Sequence, residues 1–175
     1  MPALLLSDTE AVSRIRCLLS DVDGVMTDGG IVYDSELRET KRFHVRDGLG
    51  IRVWMASGWG FGIVTARSSE IVGHRASELG ITELSQGHGD KRRVAIEMSR
   101  RMGYEAAEVA YIGDDLPDLP VMRWCGLAAA PCDAVADVRE AAHWVLNHRG
   151  GEGVLREFIE RILRAQGRWG PHVPS

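Results

Sequence analysis

Asp21 and Asp23 close an apolar run, Ile15-Arg-Cys-Leu-Leu-Ser20, with one valine between them. Such a run reads as a buried strand, and open α/β sheets bind ligands in the crevice outside the carboxyl ends of their strands. Carboxylates this close repel each other, which raises one pKa unless a cation intervenes. The pair therefore suits metal-assisted chemistry, with one carboxylate as nucleophile and the other as proton carrier. A strand-ending turn with solvated aspartates is the plain alternative. A calcium loop of the EF-hand kind fits worse, because a helix precedes that loop and its required glycine comes later than Gly24 does here.

A second acidic cluster repeats the design far along the chain. Val109-Ala-Tyr-Ile-Gly113 is a short β-favouring run that stops at a glycine, and Asp114, Asp115 and Asp118 follow on a turn entering a short helix. Between the two clusters lie Phe61-Gly-Ile-Val-Thr65, an apolar run ending in a hydroxyl, and Gln86-Gly-His-Gly-Asp-Lys91, a polar loop that carries a lysine into a helix. Taken singly, Thr65 reads as a helix cap and Lys91 as a solvated first-turn charge. Taken in order, each at a strand end, the four groups are harder to dismiss.

Positioning those groups requires strands that run the same way. Strands are expected near Cys17 to Ser20, Gly62 to Thr65, Glu83 to Ser85, Val109 to Ile112 and Gly126 to Ala129, with helices near Gly48 to Ala56, Ser69 to Leu79 and Lys91 to Met102. This alternation predicts an α/β fold, a doubly wound parallel sheet with helices on both faces. Residues 30–45 break the alternation and read as two strands about a polar turn at Asp34 and Ser35, a β-hairpin projecting just after the first acidic loop. Pairs of apolar residues four apart from Val154 to Leu163 predict an amphipathic helix. Gly167 to Ser175 reads as a flexible tail, so residues 1–175 are expected to form a single domain.

At 175 residues and 45% hydrophobic content the chain can bury one sizeable core. A net charge of −4 offers no footprint for nucleic acid. Met1 to Ser7 lacks a basic leader and is far too short to span a membrane. The three cysteines show no metal-type or redox-type pairing, which points to reduced, buried thiols and a cytoplasmic setting. None of the six histidines falls at zinc-ligand spacing. Gly58-Trp-Gly-Phe-Gly62 precedes a strand rather than following one, the wrong context for dinucleotide binding.

The ordered set Asp21-Val-Asp-Gly-Val-Met-Thr-Asp-Gly29, Phe43-His-Val-Arg-Asp-Gly-Leu-Gly-Ile-Arg52, Val64-Thr-Ala-Arg67, Gln86 to Lys91 and Tyr111-Ile-Gly-Asp-Asp-Leu-Pro-Asp118 resembles the haloacid dehalogenase-like phosphohydrolases. Within that superfamily it is most similar to the capless 3-deoxy-D-manno-octulosonate 8-phosphate phosphatases, over roughly residues 15 to 168. The intervals from Asp21 to Thr65 and from Thr65 to Lys91 are filled by the hairpin, helices and a short strand, so no cap domain fits. A lidless site is wet. The resemblance implies a homotetramer in which one subunit's hairpin covers its neighbour.

The resemblance also assigns roles. Asp21 would attack phosphorus, and Asp23 would protonate the leaving group and later activate water. Mg²⁺ would be held by Asp21, the Asp23 carbonyl and Asp114, with Asp115 and Asp118 in support. Thr65 and Lys91 would hold the phosphoryl oxygens. His44, Val45, Arg46, Asp47 and Gly48, with Arg52, Arg67 and Arg75, match the family's positions for the sugar acid, some of them contributed across a subunit boundary. Arginines suit bidentate capture of carboxylate, and Arg67 in particular points to the eight-carbon acid, although each Arg singly could sit on a solvated helix face. His44 and Leu49 depart from the more usual Asn and aromatic residue. The implied substrate is a small anionic sugar phosphate; the alternatives are a nonulosonate 9-phosphate or a non-catalytic oligomerising module of nucleotide-sugar synthesis.

Overall fold

The computed structural model describes residues 8–170. The elements in chain order are α1 (Asp8–Arg14), β1 (Cys17–Ser20), β2 (Val32–Tyr33), β3 (Glu39–Thr40), α2 (Val45–Ala56), β4 (Gly60–Thr65), α3 (Glu70–Leu79), β5 (Glu83–Gln86), α4 (Lys91–Arg101), β6 (Val109–Ile112), α5 (Leu119–Met122), β7 (Leu127–Ala130), α6 (Ala136–Ala141), β8 (Trp144–Val145) and α7 (Val154–Ala165). Six strands pair in parallel in the order β5-β4-β1-β6-β7-β8, while β2 and β3 form a separate antiparallel pair. Chain order reverses between β1 and β6, and the switch point at their carboxyl ends is where such sheets bind ligands.

Successive side chains along a strand point to opposite faces, and the core divides accordingly. Leu18, Ile63, Ala110 and Ile112 pack with Ile51, Trp54 and Phe158 on the face covered by α1, α2, α3 and α7. Cys17, Leu19, Val64 and Tyr111 pack with Val94, Met98 and Met122 on the face covered by α4, α5 and α6. The apolar stripe of α7 is buried along its whole length, Val154, Leu155, Phe158, Ile159, Ile162 and Leu163 together. Its burial explains why the helix forms after a glycine-rich turn: the stripe is sequestered against the sheet and α2 rather than left in water.

The expected strands and helices are found with small shifts at their ends. Three differences have physical causes. Residues 45–47 are helical rather than loop, because the His44 side chain accepts a hydrogen bond from the Arg46 N–H and caps α2 early. Strand β8 is too short to carry a periodic signal. The tail does not leave the fold at Gly167: the backbone N–H groups of Arg168 and Trp169 donate to the Leu163 carbonyl, and Trp169 packs on the core under the Arg156 guanidinium, 4.7 Å from the ring centroid. Residues 1–7 and 171–175 lie outside the described residues. Among the described residues no helix is long and apolar enough to cross a membrane, and nothing beyond the hairpin and α2 intervenes between β1 and β4.

Candidate active site

Four parallel strand connections converge on one cavity of about 270 Å³, lined by Asp21, Asp23, Thr65, Arg67, Lys91 and Asp114 among others. Asp21 directly follows β1, and its backbone N–H donates to the Ile112 carbonyl of β6, so the first acidic loop is stitched to the strand that delivers the second. Val22 to Thr27 then fold back, the N–H groups of Met26 and Thr27 both donating to the Val22 carbonyl. Gly24 makes this possible. Its φ is +89°, and a Cβ there would meet Asp114 Oδ2 at 2.0 Å.

The Gly113-to-Asp118 loop is organised by Asp118. That buried carboxylate accepts the backbone N–H groups of Asp114 and Asp115 at 3.0 and 3.2 Å and the Tyr111 hydroxyl at 2.6 Å. Gly113 must be a glycine, since a Cβ would lie 2.4 Å from the Asp118 carboxyl carbon. Asp115 turns outward and accepts from the Leu116 N–H, capping the 3-10 turn at Leu116–Asp118.

Lys91, the first residue of α4, reaches into the centre. Its ammonium lies 2.8 Å from Asp21 Oδ2 and 2.7 Å from Asp118 Oδ1, and it is almost wholly buried. Burial works against the charged ammonium, yet the two carboxylates outweigh it and hold the lysine pKa above its usual value. Burial, followed by the neighbouring Asp118, lifts Asp21 to about 6 in spite of Lys91. Burial, then Asp21 and Asp118, lifts Asp114 to about 8. Asp21, Asp114 and Asp118 can place carboxylate oxygens within 4.8 Å of one another. Three carboxylates against one ammonium leave a surplus of negative charge, and an all-oxygen donor set suits a hard divalent ion such as Mg²⁺. The residues fit the metal.

Asp23 is half-buried and receives the Thr27 hydroxyl at 3.4 Å. Its principal partner is Lys41, whose ammonium pairs with Asp23 Oδ1 and whose side chain is only 1% exposed. Thr65, the last residue of β4, is buried at the cavity wall. Arg67 lines the same cavity and donates to Glu39 Oε1 at 2.9 Å. Sequence reasoning missed Lys41, Glu39 and Tyr111. The first two sit in the polar run Arg38-Glu-Thr-Lys-Arg42, which looks like a solvated hairpin arm.

The remaining candidates lie elsewhere in the chain. Arg46 borders a separate cleft with His148, Arg156 and Arg161, and Val45 is 78% exposed. His44 caps α2. Arg52 donates to the Glu78 carbonyl, and Arg75 pairs with Glu78 and lies over Phe43. Asp47 and Gly48 lie buried at the start of α2, outside the lining of the Asp21 cavity. Asp47 accepts the Arg156 N–H at 2.7 Å and ties α2 to the start of α7, with burial pushing its pKa up to about 6. Gly48 lets α3 approach, since a Cβ would lie 2.5 Å from the Arg75 guanidinium.

Fold and site define a haloacid dehalogenase-like hydrolase, and residues 61–158 match the family model of that description. The chain is 43% identical over 157 residues to the 3-deoxy-D-manno-octulosonate 8-phosphate phosphatase of Yersinia pestis, covering 90% of this chain and 84% of that protein. It is 38% identical to the Haemophilus influenzae phosphatase of the same name, with 91% and 88% covered. The chain belongs to this phosphatase family. The Moraxella catarrhalis phosphatase, solved with magnesium, phosphate and a KDO molecule, superposes with a TM-score of 0.89 at 38% identity, covering 94% of both chains.

Proposed function

We propose that this protein is a Mg²⁺-dependent phosphatase that hydrolyses 3-deoxy-D-manno-octulosonate 8-phosphate to the free sugar acid and inorganic phosphate. The observation that carries this reading is the cluster of buried Asp21, Lys91 and Asp118 with half-buried Asp114 at the switch point, in a chain of this family. Asp21, Asp114 and the Asp23 carbonyl would hold the ion, with Asp115 and Asp118 behind them. Bound there, the ion neutralises phosphoryl charge and relieves the carboxylate repulsion.

Asp21 attacks phosphorus through a carboxylate oxygen, and the bond from phosphorus to the sugar oxygen breaks. Asp23 gives its proton to the departing alkoxide. A water then attacks the phosphorus of the aspartyl-phosphate, Asp23 takes its proton, and phosphate leaves with Asp21 restored. Lys91 and Thr65 hold the non-bridging oxygens, Lys91 also offsetting their charge in the transition state. Arg67, on the rim of the cavity, takes the sugar-acid carboxylate.

The open cavity is completed by assembly, as a homotetramer in the cytoplasm. Ile31, Val32, Tyr33 and Leu37 of the hairpin are all exposed, Leu37 at 82%, an apolar set suited to burial against a neighbour. His44, Val45, Arg46, Arg52 and Arg75 then serve a neighbouring site or its entrance rather than their own. Phosphate release from eight-carbon and nine-carbon sugar-acid phosphates, with Mg²⁺ and with chelator, tests the reading. Metal-dependent preference for the eight-carbon acid supports it. Preference for the nine-carbon acid, chelator-resistant turnover or no turnover would overturn it.

A further inference from the structure

We propose that Glu39, on strand β3 of the hairpin, is a specificity-determining positioning residue that holds the Arg67 guanidinium ready for the substrate's non-reacting carboxylate. This rests on the assignment of Arg67 to the sugar acid.

The hairpin is otherwise solvent-facing, with both residues of β2 exposed. Glu39 and Lys41 are two residues apart, so an extended chain turns them to one side, and here that side faces the cavity residues Arg67 and Asp23. Glu39 is only 17% exposed. Both of its oxygens are engaged: Oε1 accepts from Arg67 at 2.9 Å and lies 3.5 Å from the Lys41 ammonium, while Oε2 accepts the Ser69 hydroxyl at 2.7 Å. The Ser69 hydrogen bond, with Lys41 and Arg67, holds the Glu39 carboxyl below the usual range.

Ser69 supplies an independent sign that this contact is built. It stands at the N-cap of α3, where a serine side chain ordinarily accepts a backbone N–H, yet its side chain makes no cap bond and its hydroxyl goes to Glu39 instead. A helix-capping interaction has been forgone to fix a carboxylate on the hairpin.

Arg67 itself is 37% exposed. One guanidinium nitrogen is committed to Glu39, and the other N–H donors remain for a ligand. A long flexible cation held in one rotamer before binding loses less freedom when substrate arrives. Because only part of the guanidinium is used and Glu39 is itself held by Ser69 and Lys41, an incoming carboxylate can share Arg67 without displacing Glu39.

Steady-state kinetics of Glu39→Ala, Glu39→Gln, Ser69→Ala and Arg67→Ala, with Mg²⁺, on 3-deoxy-D-manno-octulosonate 8-phosphate and on p-nitrophenyl phosphate test this. Glu39→Ala should raise KM for the sugar-acid phosphate and lower the ratio of its kcat/KM to that of the small ester by about tenfold, the scale of one charged hydrogen bond. Glu39→Gln, which keeps an acceptor oxygen, should retain more of the ratio, and Ser69→Ala should shift it modestly the same way. In the Arg67→Ala background, Glu39→Ala should change the ratio no further. A ratio that stays constant or rises in Glu39→Ala, or additive losses in the double variant, overturns the positioning role alone. A parent enzyme with no preference for the sugar acid overturns the Arg67 assignment as well.

Discussion

Lys91 and Asp118 form a buried ion pair, 2.7 Å between ammonium and carboxylate, and this pair joins the catalytic loops to each other. Asp118 uses its other oxygen to fix the backbone of Asp114 and Asp115, and Lys91 spends its second contact on Asp21. The start of α4 thereby sets the distance between the two acidic loops.

Replacing Lys91 with Met should therefore damage stability as well as activity. Removing one partner of a buried pair costs about 3–5 kcal/mol, because the remaining charge is left uncompensated. In metal-free buffer the urea midpoint should fall accordingly, and Mg²⁺ should recover part of the loss. An unchanged midpoint would show that the three carboxylates do not depend on this ammonium.

Metal-free stability should decline with rising pH. The folded-state pKa values of Asp21 and Asp114, about 6 and about 8, lie above their ordinary value of 3.8. The folded protein therefore binds protons that the unfolded chain has released, and this contribution is fully present below 3.8 and lost as pH rises through about 8. Mg²⁺ competes with those protons, so the melting temperature it adds should be larger at the alkaline end. Thermal melts in EDTA and in Mg²⁺ across this window check the sign. A metal-free curve that rises with pH would contradict the shifts.

Asp47 offers a similar test away from the metal. Its carboxyl is raised to about 6 by burial, and Oδ2 has no partner among the described residues. The parent should lose stability relative to Asp47→Asn as pH rises from 3.8 through about 6, by about 2–3 kcal/mol. The amide keeps an acceptor for the Arg156 N–H. Parallel urea midpoints for the two proteins across that range would show Asp47 to be ionised without cost.

Much of the site was legible because each of its parts ends a strand. Asp21, Thr65 and the Gly113-Asp114-Asp115 turn all follow apolar runs, and parallel order sends such ends to one side of the sheet. Lys91 was legible from the polar loop that delivers it to a helix start. What escaped was whatever depends on which way a polar side chain turns. Glu39 and Lys41 lie in a charged run whose period permits either face, and only their contacts with Asp23, Arg67 and Ser69 make that face the inner one. Tyr111 reads as an ordinary strand aromatic, and its hydroxyl matters only because Asp118 returns beneath it. Asp47 and Gly48 match sugar-acid positions by resemblance, but that the His44 cap starts a helix burying both could not be read from the sequence. Trp169 was lost in a glycine-rich tail, where a single ring gives no periodic signal of its packing on the core.

The central claim is that the Asp21 carboxylate receives the phosphoryl group. It is tested most directly by phosphate release from 3-deoxy-D-manno-octulosonate 8-phosphate by Asp21→Asn, with saturating Mg²⁺ and with folding matched to the parent by thermal melts. The amide leaves the surrounding shape intact but is not a nucleophile, so turnover should fall by about 10³-fold or more. Turnover within about tenfold of the parent, at equal folded fraction, would contradict the aspartyl-phosphate mechanism.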